Sequence, residues 1–360
     1  MIGACGTSRP RFYDSGAVRV KPYKSFAVKL QQDDVLSCLW ADDFMKNFEE
    51  VRVCLFDPAR HNLMVTRASL VEIGFSKIQM VTDFAKFSEC VAKQTFDLVI
   101  AESHDAGGGV GDLMRKIRVG EVGANPFVVC VTTSWDRESV HLRSLVNSGI
   151  DDILLRPFST EQLRKRLKSL VANRKEFVVT SDYVGPDRRG DEVRNSEHVK
   201  SFDPPNTLKV AALGGELDQL DIGQQIISMQ ADVAQERIRR LAMKVVVAMQ
   251  VFLDDPVAGE ALDMEEIDAT ARELRRRLRG HGAPDAVELA SALTEITTDI
   301  LDPAEQSPRQ FKLVRELALG TYTAFAGGDE MDVDTNEVQS TVASLRNKLQ
   351  KQLISGWQSA

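Results

Sequence analysis

Four residues able to do chemistry stand at the ends of short apolar runs. Asp57 follows the run 51–56, Glu102 follows 97–101, Thr132 closes 127–132 and Arg156 follows 152–155. Two carboxylates, a hydroxyl and a guanidinium have two uses. They can gather a cation and a phosphoryl group, or Glu102 and Arg156 can cancel each other as a fixed ion pair.

The elements around these residues alternate. The runs 51–56, 78–81, 97–101, 127–132 and 152–155 have the length and composition of strands buried on both faces. Helical spacing predicts helices over 61–73, where Leu63, Val65, Leu70 and Ile73 form the stripe and Gly74 the stop, and over 83–94, 110–119, 136–147 and 159–173. Five strands alternating with five helices predict an α/β fold: a doubly wound, five-stranded parallel sheet covered on both sides.

With this register, residues 51–173 resemble the receiver domain of response regulators, a flavodoxin-like fold. The resemblance places Asp57 at the family's first metal-binding acid, Glu102 at its phosphoacceptor aspartate and Thr132 at the hydroxyl that contacts the phosphoryl group. Arg156-Pro157-Phe158 stands where the family has Lys-Pro-Phe. In an intact site the aspartate attacks a phosphohistidine, magnesium held by carboxylates neutralises the oxygens, and the lysine completes the clamp. Here Pro58 removes one carboxylate, Glu102 carries its carboxylate one methylene further out, and Arg156 is a planar fork in place of a point charge. Ile153 occupies the place of the family's switch aromatic. The resemblance therefore implies a degenerate pocket of Asp57, Glu102, Thr132 and Arg156, with no catalysis, no cofactor and at most residual metal binding by Asp57.

Outside this region the chain changes character. Residues 1–44 read as a flexible arm, or as an extension ahead of a natural start at Met45. Residues 45–174 are the receiver-like domain. Residues 175–206, polar and punctuated by Gly185-Pro186 and Pro204-Pro205, read as a linker. Arg188 and Arg189 faintly match the arginine motif of cyclic-di-GMP-binding barrels, without barrel strands after them. Residues 207–360 read as all-helical, with helices near 264–279, 285–301, 308–326 and 336–357. Asp263 with Glu266 and Asp334 with Glu337 fit capping boxes, and Ser307-Pro308 fits a helix start.

A three-four stripe runs over 217–252, from Leu217 and Leu220 through Gln224 to Ile238, Leu241, Val245 and Phe252. It predicts a coiled-coil seam that dimerises the protein, with Ile238, Leu241 and Val245 carrying most of the contact. The alternative is one long helix inside an intramolecular bundle, which Gly223 and Gln224 favour.

Composition narrows the function classes. The chain carries a formal net charge of −8, and 207–360 is the acidic part, which disfavours a polyanion-binding module. The five cysteines show no metal spacing, and Cys54 and Cys130 lie inside strand runs as small hydrophobes. No apolar run is long enough to span a membrane, so a cytoplasmic location is expected. The Gly327–Met331 stretch is similar to the diguanylate cyclase signature but lacks the flanking strands of that family. His281, between Gly280 and Gly282, sits in a loop and not on a phosphotransfer helix. The reading is a signalling adaptor with a protein partner. The alternative is a nucleic-acid-binding regulator of the ANTAR type, suggested by Ala242-Met243-Lys244 and by Arg272, Arg275, Arg276, Arg277 and Arg279.

Overall fold

The computed structural model describes residues 48–104, 109–188, 200–213, 216–327 and 341–343, with the side chains of 216–220 left out. The 1–44 arm, Arg189, the stretch 328–331, the 334–337 capping box and the 336–357 helix apart from its helical residues 341–343 therefore lie outside the described residues.

Strands β1 (Arg52–Phe56), β2 (Lys77–Val81), β3 (Leu98–Glu102), β4 (Val129–Ser134) and β5 (Asp152–Leu155) form one parallel sheet in the order β2-β1-β3-β4-β5. This is the flavodoxin-like order of a doubly wound sheet. Helices α1 (Arg60–Ile73), α2 (Phe84–Lys93), α3 (Gly109–Arg118), α4 (Ser139–Asn147) and α5 (Thr160–Ala172) connect and flank the strands. Alternation along the strands sorts the core into two layers. Val53, Leu55, Ile100, Val131 and Leu154 pack with Leu63 and Leu70 of α1 and Leu163 and Leu167 of α5. Cys54, Phe56, Val99, Ala101 and Cys130 pack on the other face with Phe87, Met114 and Leu145 of α2, α3 and α4.

The segment 175–206 corrects the expectation of a free linker. It holds β6 (Phe177–Val179), β7 (Val184–Pro186) and β8 (Ser201–Phe202) in an antiparallel sheet of order β7-β6-β8. Phe177, Val179, Val184 and Phe202 share a small core with Phe127 and Val233. Beneath it lies a buried ionic knot. Asp151 accepts from Arg118 Nη2 (2.7 Å), Arg174 Nε (2.8 Å) and the Cys130 amide (2.8 Å). Both guanidinium groups lie about 5 Å from the Phe177 ring centre. Burial alone would raise the Asp151 carboxyl, but Arg174 and Arg118 hold it below its ordinary value. Two glycines let β7 come this close: Gly149 adopts φ 84°, and a Cβ on Gly185 would stand 2.6 Å from the Gly149 Cα.

Helix α6 (Thr207–Leu213) follows, packing Leu208, Ala211 and Ala212 into the same core layer as α5. Helix α7 (Glu216–Asp254) is the backbone of the C-terminal part, followed by the short α8 (Pro256–Gly259). Helices α9 (Met264–Leu278), α10 (Pro284–Asp299) and α11 (Pro308–Ala326) pack with α7 as a bundle. The Asp263 side chain caps α9 and the Ser307 hydroxyl caps α11 ahead of Pro308, but Glu266 pairs with Lys244 and does not close the expected capping box.

The bundle corrects the dimerisation residues. Ile238, Leu241 and Val245 are 0%, 3% and 0% exposed, and their neighbours belong to their own chain. Leu274 and Leu278 of α9, Leu293 of α10 and Phe311 and Val314 of α11 share that core. A three-four stripe specifies an apolar face without specifying whose surface covers it, and here later helices of the same chain do.

Candidate functional site

The site grows from strand parity. Asp57 follows Val53 and Leu55 on the α1/α5 side of the sheet, Glu102 follows Leu98 and Ile100, and Arg156 follows Leu154. All three side chains meet beyond the carboxyl ends of β1, β3 and β5, and each is at least nine-tenths buried. Arg156 Nε donates to Glu102 Oε2 at 2.8 Å, and its Nη2 donates to Asp57 Oδ2 at 2.9 Å. The expected Glu102–Arg156 pair is thus formed, and Asp57 joins it through the neighbouring Nη2. The Arg156–Pro157 peptide is cis, and the guanidinium also sits 5.0 Å from the Phe158 ring centre.

The hydroxyl in the pocket is Thr133 and not Thr132. Strand β4 runs to Ser134, and β3 pairs Glu102 with Thr133. Thr133 therefore follows Val129 and Val131 onto the pocket side, while Thr132 points to the opposite face, since a one-residue shift inverts a strand's faces. The Thr133 hydroxyl donates to Glu102 Oε2 at 2.8 Å and accepts from Arg156 Nη2 at 3.3 Å. The buried Thr132 hydroxyl has no hydrogen-bond partner among the described residues.

Thr66 also belongs to this cluster, beyond the four residues the sequence suggests. Its hydroxyl accepts from Arg156 Nη2 at 3.1 Å. The buried stripe of α1 is Leu63, Thr66, Leu70 and Ile73, whereas Val65 faces solvent. A polar residue in phase with Leu63 and Leu70 was the available signal.

Main-chain donors complete the set. The Ala59 amide donates to Asp57 Oδ1 at 2.8 Å, and the His104 amide to Glu102 Oε1 at 3.1 Å. Both Glu102 oxygens are therefore engaged, one by the guanidinium and a hydroxyl, the other by the backbone. Two carboxylates face one guanidinium, so the buried cluster holds an excess negative charge. Burial pushes the Asp57 carboxyl above its ordinary value, against the lowering effects of the Ala59 amide and Arg156, and with a further raising effect from Glu102.

Pro58 is exposed and contributes no oxygen. Among the described residues no group of three or more His, Cys, Asp or Glu side chains could hold a metal ion. The guanidinium fills the space between the carboxylates and already satisfies them. Ile153 is partly buried against the α2–α4 face. At the rim, Ser103 Oγ lies 3.1 Å from His141 Nε2, and Trp135 and Val140 are exposed.

The basic stretch of α9 is largely consumed within the chain. Arg272 pairs with Asp268, Arg276 with Glu273 and Glu121, and Arg277 with Glu273. Glu121 lies between α3 and β4, so these arginines tie the bundle to the parallel sheet. No helix among the described residues is long and apolar enough to cross a membrane.

Comparisons with solved structures find receiver domains. The chain matches the signal receiver domain of a Clostridium thermocellum two-component histidine kinase over 34% of its own length and 98% of that chain, at 17% identity and a TM-score of 0.31. The receiver domain of a Pseudomonas aeruginosa sensor histidine kinase, with magnesium in its active-site cleft, matches over 33% and 94%, at 19% identity and a TM-score of 0.29. A pilus assembly-related protein of Burkholderia pseudomallei matches over 33% and 88%, at 14% identity and a TM-score of 0.29. No family model and no curated protein matches the sequence. The receiver-like reading of the fold rests on its own strand order and its two covered faces.

Proposed function

We propose that this protein is a non-catalytic signalling adaptor of the two-component type. Its receiver-like module is a scaffold whose acceptor pocket is closed by its own arginine, and its helical bundle serves as the partner-binding part. One observation carries the reading: the Arg156 guanidinium bridges Asp57 and Glu102 at 2.9 and 2.8 Å with all three groups buried. An incoming phosphoryl group would have to displace that guanidinium from two carboxylates at once. Breaking a buried charge network costs about 3–5 kcal/mol per lost partner, so uptake is blocked energetically as well as sterically. The pairing of Arg272, Arg276 and Arg277 with carboxylates of the same chain weighs against the nucleic-acid alternative.

The test is chemical. The full chain, incubated with acetyl phosphate and magnesium, keeps its unmodified mass in intact-protein mass spectrometry. A single phosphoryl adduct that disappears in Glu102→Gln refutes the proposal.

A further inference from the structure

We propose that Glu121 is an electrostatic latch, which holds the helical bundle reversibly against the α/β part and whose loss lets the two separate. This inference does not depend on whether the Arg156 pocket excludes phosphate.

The bundle core and the two core layers of the parallel sheet share no residue. Where the two parts meet, Val233 of α7 is buried against Phe127 and Phe177, with Ile226 and Met229 partly buried beside it. That apolar contact is small, and polar joins supplement it. Lys244 Nζ spans Asp182 (3.0 Å), ahead of β7, and Glu266 (2.7 Å) in α9. Arg276 spans Glu273 and Glu121 at 2.7 Å each. The Asp182 and Arg276 side chains are more than half exposed, so these pairs stabilise little and weaken with salt. A small and largely polar junction between separate cores permits the two parts to move relative to each other.

Glu121 holds a particular place in this junction. Three guanidiniums, from Arg237 of α7 and from Arg276 and Arg277 of α9, gather on two carboxylates. One is Glu273 of α9, and the other is Glu121 of the α/β part. The set is imperfectly satisfied. Arg237 Nη2 is 3.9 Å from Glu273, and Arg277 Nη2 is 3.5 Å from Glu121. Arg237 Nε and Arg277 Nη2 are buried with no hydrogen-bond partner among the described residues. Burial and the neighbouring Arg277 push the Arg237 guanidinium down to about 10. The docked state thus packs like charges together and leaves donors unmet, and water reaching them on opening relieves both. Glu121 offsets this. With it the group holds three positive charges against two negative, and without it three against one.

The test uses the full chain, with small-angle X-ray scattering for its dimensions and phenylglyoxal for the reactivity of its arginines. Peptide mass spectrometry reads the modification at Arg237, whose side chain is 13% exposed, relative to the exposed Arg143. Glu121→Arg should enlarge the radius of gyration and speed modification of Arg237 by about tenfold or more, with the helical circular dichroism unchanged. Glu121→Gln, which keeps an acceptor but loses the charge, should move both readings less and in the same direction. Raising salt to about 1 M, where the Debye length falls to about 3 Å, should speed Arg237 in the wild type. A folded Glu121→Arg chain with wild-type dimensions and wild-type Arg237 reactivity would overturn the proposal. Should that variant fail to fold, Arg237 reactivity unchanged in Glu121→Gln and unmoved by salt in the wild type would do the same.

Discussion

Arg156 Nε stands 2.8 Å from Glu102 Oε2, and both side chains are almost completely withdrawn from water. A pair placed this deep stabilises little against an apolar alternative, yet it costs heavily when one partner is removed. Arg156→Ala should therefore lower the unfolding free energy by about 3–5 kcal/mol, since it strands two buried carboxylates. Glu102→Gln should cost only about 1 kcal/mol, because the amide oxygen still accepts from the guanidinium and Thr133. Urea denaturation of the two variants measures both. Equal, near-zero effects would contradict the clamp.

The two threonines of β4 should separate cleanly. Thr133→Val removes a hydroxyl that serves both Glu102 and Arg156, at a cost of about 1–3 kcal/mol. Thr132→Val removes a buried hydroxyl with no partner among the described residues, so it should be neutral or stabilising. The same denaturation curves report the order, and a larger loss at Thr132 would reverse the assignment.

This pair also shows where sequence reading stops. Asp57, Glu102 and Arg156 were legible because each follows an apolar strand run in the right order, and the strand-helix alternation fixed the sheet. The hydroxyl was not, since Thr132-Thr133-Ser134 offers a candidate of either parity and only the strand's end decides. In the C-terminal part the stripe through Ile238, Leu241 and Val245 was legible but its covering surface was not. The strands around Phe177 and Val184 were hidden by polar neighbours, and only Arg118, Asp151 and Arg174 converging from distant positions make their packing understandable.

Asp57 predicts a pH signature. Its carboxyl is raised above 3.8, chiefly by burial, so the folded state holds that proton more tightly than the unfolded chain. Stability from this group is present below 3.8 and is lost as pH rises through the folded value. Asp57→Asn removes the titration. The stability of the variant relative to wild type should improve as pH rises through the acidic range, read as melting temperature against pH. A difference independent of pH would remove the assignment.

The helical part should respond as a bundle. Leu241→Asp places a carboxylate in a core that is 3% exposed at that position, costing about 3 kcal/mol or more. Circular dichroism should show loss of cooperative helical melting with no change in the association state at permissive temperature. Conversion of a stable dimer into a folded monomer would restore the coiled-coil seam.

Gly223 should be a stabilising site. With open space around its Cβ position, Gly223→Ala should raise the unfolding free energy by about 0.5–1 kcal/mol through helix propensity alone. A loss of stability would mean that the helix needs glycine there for its own packing.

The closed pocket is tested most directly by beryllofluoride, which mimics a phosphoryl group on a carboxylate. With magnesium and beryllofluoride present, fluorine NMR of the full chain should show only free species, because Arg156 already occupies both Asp57 and Glu102. A protein-bound fluorine signal that vanishes in Glu102→Gln would contradict the account.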